Sequence, residues 1–119
     1  MREWLSANGT VIENLESPRN NFVQAELSCP AETLSVYVAD VRPTCPALAG
    51  AVSAAEGASP FPDEAGEKDW TKGLADYSAG VTDCTKGTAE QSLPLMQDGV
   101  AKVNTGQIEI AHLVDLFGP

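Results

Sequence analysis

Basic side chains are scarce in this chain: seven Lys and Arg stand against 17 Asp and Glu, a formal charge of −10. So acidic a protein lacks the cationic footprint that grips phosphate backbones, and its sign disfavours anionic membrane surfaces. Nucleic acid is therefore not an expected partner, whereas a basic protein or a cation is permitted. In the plainest reading the charge keeps the chain soluble. Aromatic residues are also few, at 6%, while apolar residues reach 43% and many of them are Ala. That balance favours close helix packing over a sheet of β-branched and aromatic side chains. No apolar run approaches the ~20 residues of a membrane span. Met1 to Asn8 lacks the continuous apolar stretch and small-residue cleavage site of a signal peptide. Either Met1 is the native start of a cytosolic protein, or it was added where a leader or anchor was removed.

At 119 residues the chain is expected to form one domain with one hydrophobic core. Periodicity is clearest after Thr44. Cys45, Leu48, Ala49, Val52 and Ala55 form a helical stripe, and Gly57 stands where that helix should stop. Ser59-Pro60-Phe61-Pro62 cannot be helix interior, and Asp63 reads as the N-cap of the next helix, with Glu64 and Glu67 in its first turns. Trp70, Leu74, Tyr77, Val81 and Cys84 then alternate at spacings of four and three, with Gly87 as the expected terminator. Ser92 or Thr88 can cap a last helix that tolerates Pro94 in its first turn. Its stripe is Met96, Val100, Val103, Ile110, Val114 and Phe117. Gly99 and Gly106, seven apart beside that stripe, suggest close approach of a neighbouring helix. The spacing predicts helices over 45–56, 63–86 and 92–116. The expected core is Leu48, Val52, Trp70, Leu74, Tyr77, Val81, Val100, Val103, Ile110 and Val114.

Residues 1–43 give the weakest signal. Leu5, Ile12, Leu15, Phe22 and Val23 suggest a helix that Gly9 and Pro18 should interrupt, and Cys29-Pro30 is a break. Ala31 to Val41 fits a strand or a helix turn; helix is favoured, because a lone strand would have nothing to pair with. The expected fold is mainly α, an antiparallel bundle of about four helices.

Three cysteines, Cys29, Cys45 and Cys84, allow three single disulfides, and sequence alone does not choose among them. A helix from Cys45 to Gly57 climbs about 18 Å and one from Asp63 to Cys84 descends about 31 Å. With the proline-rich link between, Cys45 and Cys84 could finish level on antiparallel neighbours. Trp4, Cys45 opening a helix, Pro60-Phe61-Pro62-Asp63, Trp70 and Asp83-Cys84 followed by Gly87 together form a pattern. It resembles an uncharacterised family of actinobacterial membrane-anchored or secreted domains. The resemblance implies an extracytoplasmic helical bundle with one disulfide, Cys45 to Cys84, which leaves Cys29 as a free thiol.

Catalytic and metal chemistry find little to stand on. Cys29, Cys45, Cys84 and His112 are suitable zinc ligands by type, but no pair has the short C-x₂₋₄-C spacing. One His is available as a base, and no Gly-x-Ser-x-Gly turn surrounds any Ser. The acidic run Asp63, Glu64, Glu67 and Asp69 lacks the order of a calcium loop and reads as a solvated helix start. Trp70 and Tyr77 belong to a core stripe rather than a stacking site. Phe61, between two prolines on a surface link, is the best candidate for a partner contact. Asn8-Gly9-Thr10 fits a glycosylation sequon, which carries little weight in a bacterial protein.

No enzyme activity, metal or cofactor is expected. The leading expectation is a non-enzymatic binding, sensing or scaffolding domain at an actinobacterial cell envelope, with an unknown protein or envelope ligand as partner. The alternative is a small acidic cytosolic inhibitor or immunity-type protein that blocks a basic enzyme.

Overall fold

The computed structural model describes residues 2–27, 34–58 and 63–117. These form helices α1 (Arg2–Leu27), α2 (Leu34–Val41), α3 (Thr44–Glu56), α4 (Glu64–Glu90) and α5 (Leu93–Phe117), in a body 47 × 21 × 19 Å. The fold is mainly α, and no strand occurs among the described residues. α2 is a short connector, so the bundle has four principal helices, as the periodicity implies.

Local chemistry sets most boundaries. Asp63 is extended and its carboxylate accepts from the Gly66 amide at 2.8 Å, which fixes the start of α4. Ser92 opens α5, its Oγ accepting from Leu95 N at 3.4 Å. Gly57 closes α3. Three expected breaks fail. Gly9 lies within a continuous α1. Pro18 lies inside the same helix. The bond its ring forfeits belongs to the carbonyl of exposed Asn14, which water can satisfy, while Leu15 and Phe22 anchor both sides of it in the core. Gly87 does not end α4; it is buried within it, and the stop comes at Gln91, which adopts the left-handed cap at φ 52°.

Around the bundle the helices follow the order α1, α3, α4, α5. α4 and α5 run antiparallel, with Gly73 against Ile110 and Gly87 against Met96. Cys45 at the start of α3 meets Cys84 near the end of α4, and Phe22 late in α1 lies over Gly99 early in α5. α1 and α4 face each other across the core, where the Trp4 and Trp70 rings meet edge to face at 5.2 Å. Trp4 is thus a core residue.

The tightest contact is between α4 and α5. Buried positions of α4 include Gly66, Trp70, Gly73, Tyr77, Gly80, Cys84 and Gly87, with Leu74 and Thr88 beside them; on α5 they are Met96, Gly99, Val103, Gly106, Ile110 and Leu113. Both follow a heptad, and bulky residues meet glycines. A Cβ on Gly73 would strike Ile110, one on Gly80 would strike Val103, one on Gly87 would strike Met96, and one on Gly106 would strike Tyr77. Close approach at Gly99 and Gly106 is as expected; Gly73, Gly80 and Gly87 on the facing helix complete it.

This register corrects three core expectations. Val114 is 37% exposed, because the heptad buries Leu113 instead. Val81 and Val100 flank the core, half-buried, rather than sitting in it. The other seven expected core residues are buried.

Two glycine replacements should move stability in opposite directions. Gly50→Ala on α3 meets nothing within 4 Å, so it should stabilise by about 0.5–1 kcal/mol through helix propensity. Gly80→Ala puts its methyl against Val103 and 2.8 Å from the Gly99 carbonyl, so overpacking of about 1–3 kcal/mol should outweigh that gain. Urea midpoints of the two variants, compared with the parent, measure both shifts.

Candidate functional site

Cys45 and Cys84 are joined, with Sγ atoms at 2.02 Å and Cα atoms at 5.7 Å. Cys45 opens the buried stripe of α3 and Cys84 continues the seam of α4, so the covalent link ties α3 to the α4–α5 pair. Two of the four conceivable zinc ligands are consumed in that bond. His112 is exposed, and no group of three or more potential ligands gathers among the described residues. Cys29 and Phe61 lie outside the described residues.

Two open concavities flank α4. The first is a trough of about 680 Å³ on the outer side of α4, beside the end of α3. Thr71, Ala75, Ser78, Ala79 and Thr82 form its wall; Trp70 and Leu74 contribute from beneath; Glu56 and Glu67 stand at one end with Ala58. From Glu67 to Thr82 it runs about 22 Å at ~1.5 Å per residue. It exists because α3 is about half the length of α4 and because α4 carries small side chains on this side. Glu67 accepts from the Thr71 hydroxyl at 3.2 Å, and Asp63, nearby in sequence, is committed to capping. Of the acidic run singled out in the sequence, Glu67 borders this trough, whereas Asp63 serves the helix start.

The second concavity, about 750 Å³, lies at the disulfide end between Ala39, Arg42, Pro43, Pro46, Thr85 and Ala89. Arg42 spans it, donating from Nη2 to the Thr88 carbonyl at 3.2 Å, where the last turn of α4 leaves carbonyls without intrahelical donors.

Charged groups also cross between α4 and α5. Lys102 Nζ pairs with Asp83 Oδ2 at 2.7 Å, while Lys72 Nζ bridges Asp76 Oδ2 at 3.0 Å and Glu109 Oε1 at 2.5 Å. Burial holds the Glu109 carboxyl above the usual range, with Asp76 adding to that and Lys72 opposing it. For Asp76 burial alone would raise the carboxyl, but the hydrogen bonds from Lys72 and Glu109 bring it below its usual value. The Tyr77 phenol, packed against Gly106, is pushed up to about 12 by burial. Lys72, Asp76, Lys102 and Glu109 do not stand out in the sequence as a site, since isolated Lys, Asp and Glu on helices are the commonest surface pattern.

No helix among the described residues is long and apolar enough to cross a membrane. Comparison of the chain with protein-family models, with curated proteins and with solved structures finds no match.

The disulfide closes a loop across a sequence separation of 39, for which chain entropy gives up to about 4 kcal/mol. Reduction should therefore lower the melting temperature by many degrees, while a Cys29→Ser variant should melt with the parent. Calorimetry with and without reductant, with peptide mapping to confirm the pairing, measures both.

Proposed function

We propose that this chain is a non-enzymatic binding or scaffolding domain that works outside the cytosol, at an actinobacterial cell envelope. Its trough beside α3 and α4 receives a cationic helical segment of a partner protein. The observation that carries the binding half is the trough itself. It is long enough for about four helical turns, it is walled by Ala, Ser and Thr that let a second backbone approach closely, and it carries Glu56 and Glu67 at one end. A chain of net charge −10 would further steer a basic partner toward it. The Cys45–Cys84 disulfide supports the compartment, since such bonds persist outside the cytosol and are rare within it. The resemblance carried by Trp4, Cys45, Pro60-Phe61-Pro62-Asp63, Trp70 and Asp83-Cys84 supports the same assignment.

The acidic-inhibitor reading would use the same surface inside the cell. Thiol trapping in the native cell separates the two: bonded Cys45 and Cys84 agree with the envelope, and free thiols there select the inhibitor.

Binding is testable with an amphipathic Lys-rich helical peptide of about 18 residues. Amide shifts on titration should concentrate at Thr71, Ala75 and Ser78. Reversing Glu56 and Glu67 together to Lys should weaken binding by about tenfold or more, on the order of 1.4 kcal/mol. Reversing the exposed Glu13 and Glu90, which changes net charge equally away from the trough, should cost less than about threefold at moderate salt. Equal losses in the two double variants would mean that diffuse charge, not the trough, attracts the peptide.

A further inference from the structure

Lys72, Asp76 and Glu109 place two carboxyl groups and one ammonium group where α4 and α5 touch. Lys72 reaches both acids, at 3.0 Å and 2.5 Å, and is itself largely in solvent. The acids are more enclosed, with side-chain exposures of 26% and 20%. Because a single ammonium contacts both, the two carboxyl groups also lie side by side, close enough for each to shift the other's proton affinity. Glu109 Oε2 is buried and has no donor. Two ionised carboxylates cannot hydrogen-bond, and a buried acceptor without a donor is costly. One proton shared between the pair resolves both problems: it supplies the missing donor and removes the like-charge repulsion.

We propose that Asp76 and Glu109 hold one proton between them, beneath Lys72, as a pH-sensitive clasp between α4 and α5. Glu109 is the principal proton carrier, because it is the more enclosed acid and because Lys72 and Asp76 share a helix turn. Other charges do not set the behaviour of this pair. From α1, which also packs on α5, Glu16 and Arg19 face the Tyr77 phenol. On α5 itself, His112 lies one turn on and is exposed.

The direction of the pH response follows from the two shifts. Glu109 binds its proton more tightly folded than unfolded, so its contribution is present at low pH and is lost as pH rises through its folded value. Asp76 is shifted the other way, so its contribution is present above its unfolded value and lost as pH falls through its folded value. The clasp is complete in the mildly acidic band between them. Above it, Lys72 must serve two full negative charges and the α4–α5 contact loosens.

Carboxyl carbon NMR titration of the whole chain tests this directly. Glu109 should titrate above the ordinary glutamate range and Asp76 below the ordinary aspartate range. In Asp76→Asn, the Glu109 midpoint should fall, because burial remains but the neighbouring charge is gone. Glu109→Gln keeps a donor for Asp76 without a titrating proton, so the decline in melting temperature as pH rises above the ordinary glutamate range should shrink in that variant. An ordinary Glu109 midpoint, a midpoint unmoved by Asp76→Asn, or an unchanged decline in Glu109→Gln would overturn the proposal.

Discussion

The exchange of bulk for absence along the α4–α5 seam governs the rest of the structure. Six buried glycines on two helices would together cost about 6 kcal/mol of helix stability relative to alanine if each helix stood alone. Five of them meet a side chain that fills the gap: Ile110 at Gly73, Val103 at Gly80, Met96 at Gly87, Phe22 of α1 at Gly99 and Tyr77 at Gly106. The helices thereby approach closely, and dispersion contacts multiply along their length. A shift of one residue in either helix would set a ring or branched chain against backbone. The seam therefore fixes register as well as distance, and it is the frame onto which α3 and α1 are laid.

That frame also places the chemistry. Because α5 covers one side of α4 so completely, polar groups at its border are pressed together: Asp76 and Glu109 are partly desolvated there, beneath a Lys72 that stays largely in solvent. On the side where α3 stops early, α4 keeps small side chains in the open, and the trough follows. The disulfide joins α3 at the point where α4 still has a covered neighbour, so the open part of α4 begins where the covalent tie and the short helix leave off.

Much of this was legible from residues. The α3 and α4 starts, the Asp63 cap and the buried Trp70, Tyr77, Cys84 series follow from spacing and capping chemistry. The Cys45–Cys84 bond agrees with the resemblance. What the sequence hid is instructive. Gly87 reads as a stop because propensity treats glycine as a breaker, whereas here the partner helix decides. The α5 stripe likewise reads through Val100 and Val114, whereas the structure buries Gly99, Gly106 and Leu113. A test for heptad glycines on two consecutive helices would have found the seam. Pro18 misleads for the same reason: its cost falls on a carbonyl that water can reach. The carboxyl pair needed coordinates, because Asp76 and Glu109 are far apart in sequence.

The position of α1 has a consequence for how the molecule opens. It contacts α3 and α5 from one side and reaches α4 only across the core, through contacts such as Trp4 on Trp70. No glycine of α1 interlocks with a partner: Gly9 has nothing within 4 Å of where a Cβ would stand. α3, α4 and α5 by contrast form one covalently and sterically closed body. Opening should thus be graded, with α1 lifting as a unit before the other three separate. Amide exchange would reveal two tiers: an early one across α1, and a late one, near the global unfolding free energy, along the buried faces of α4 and α5.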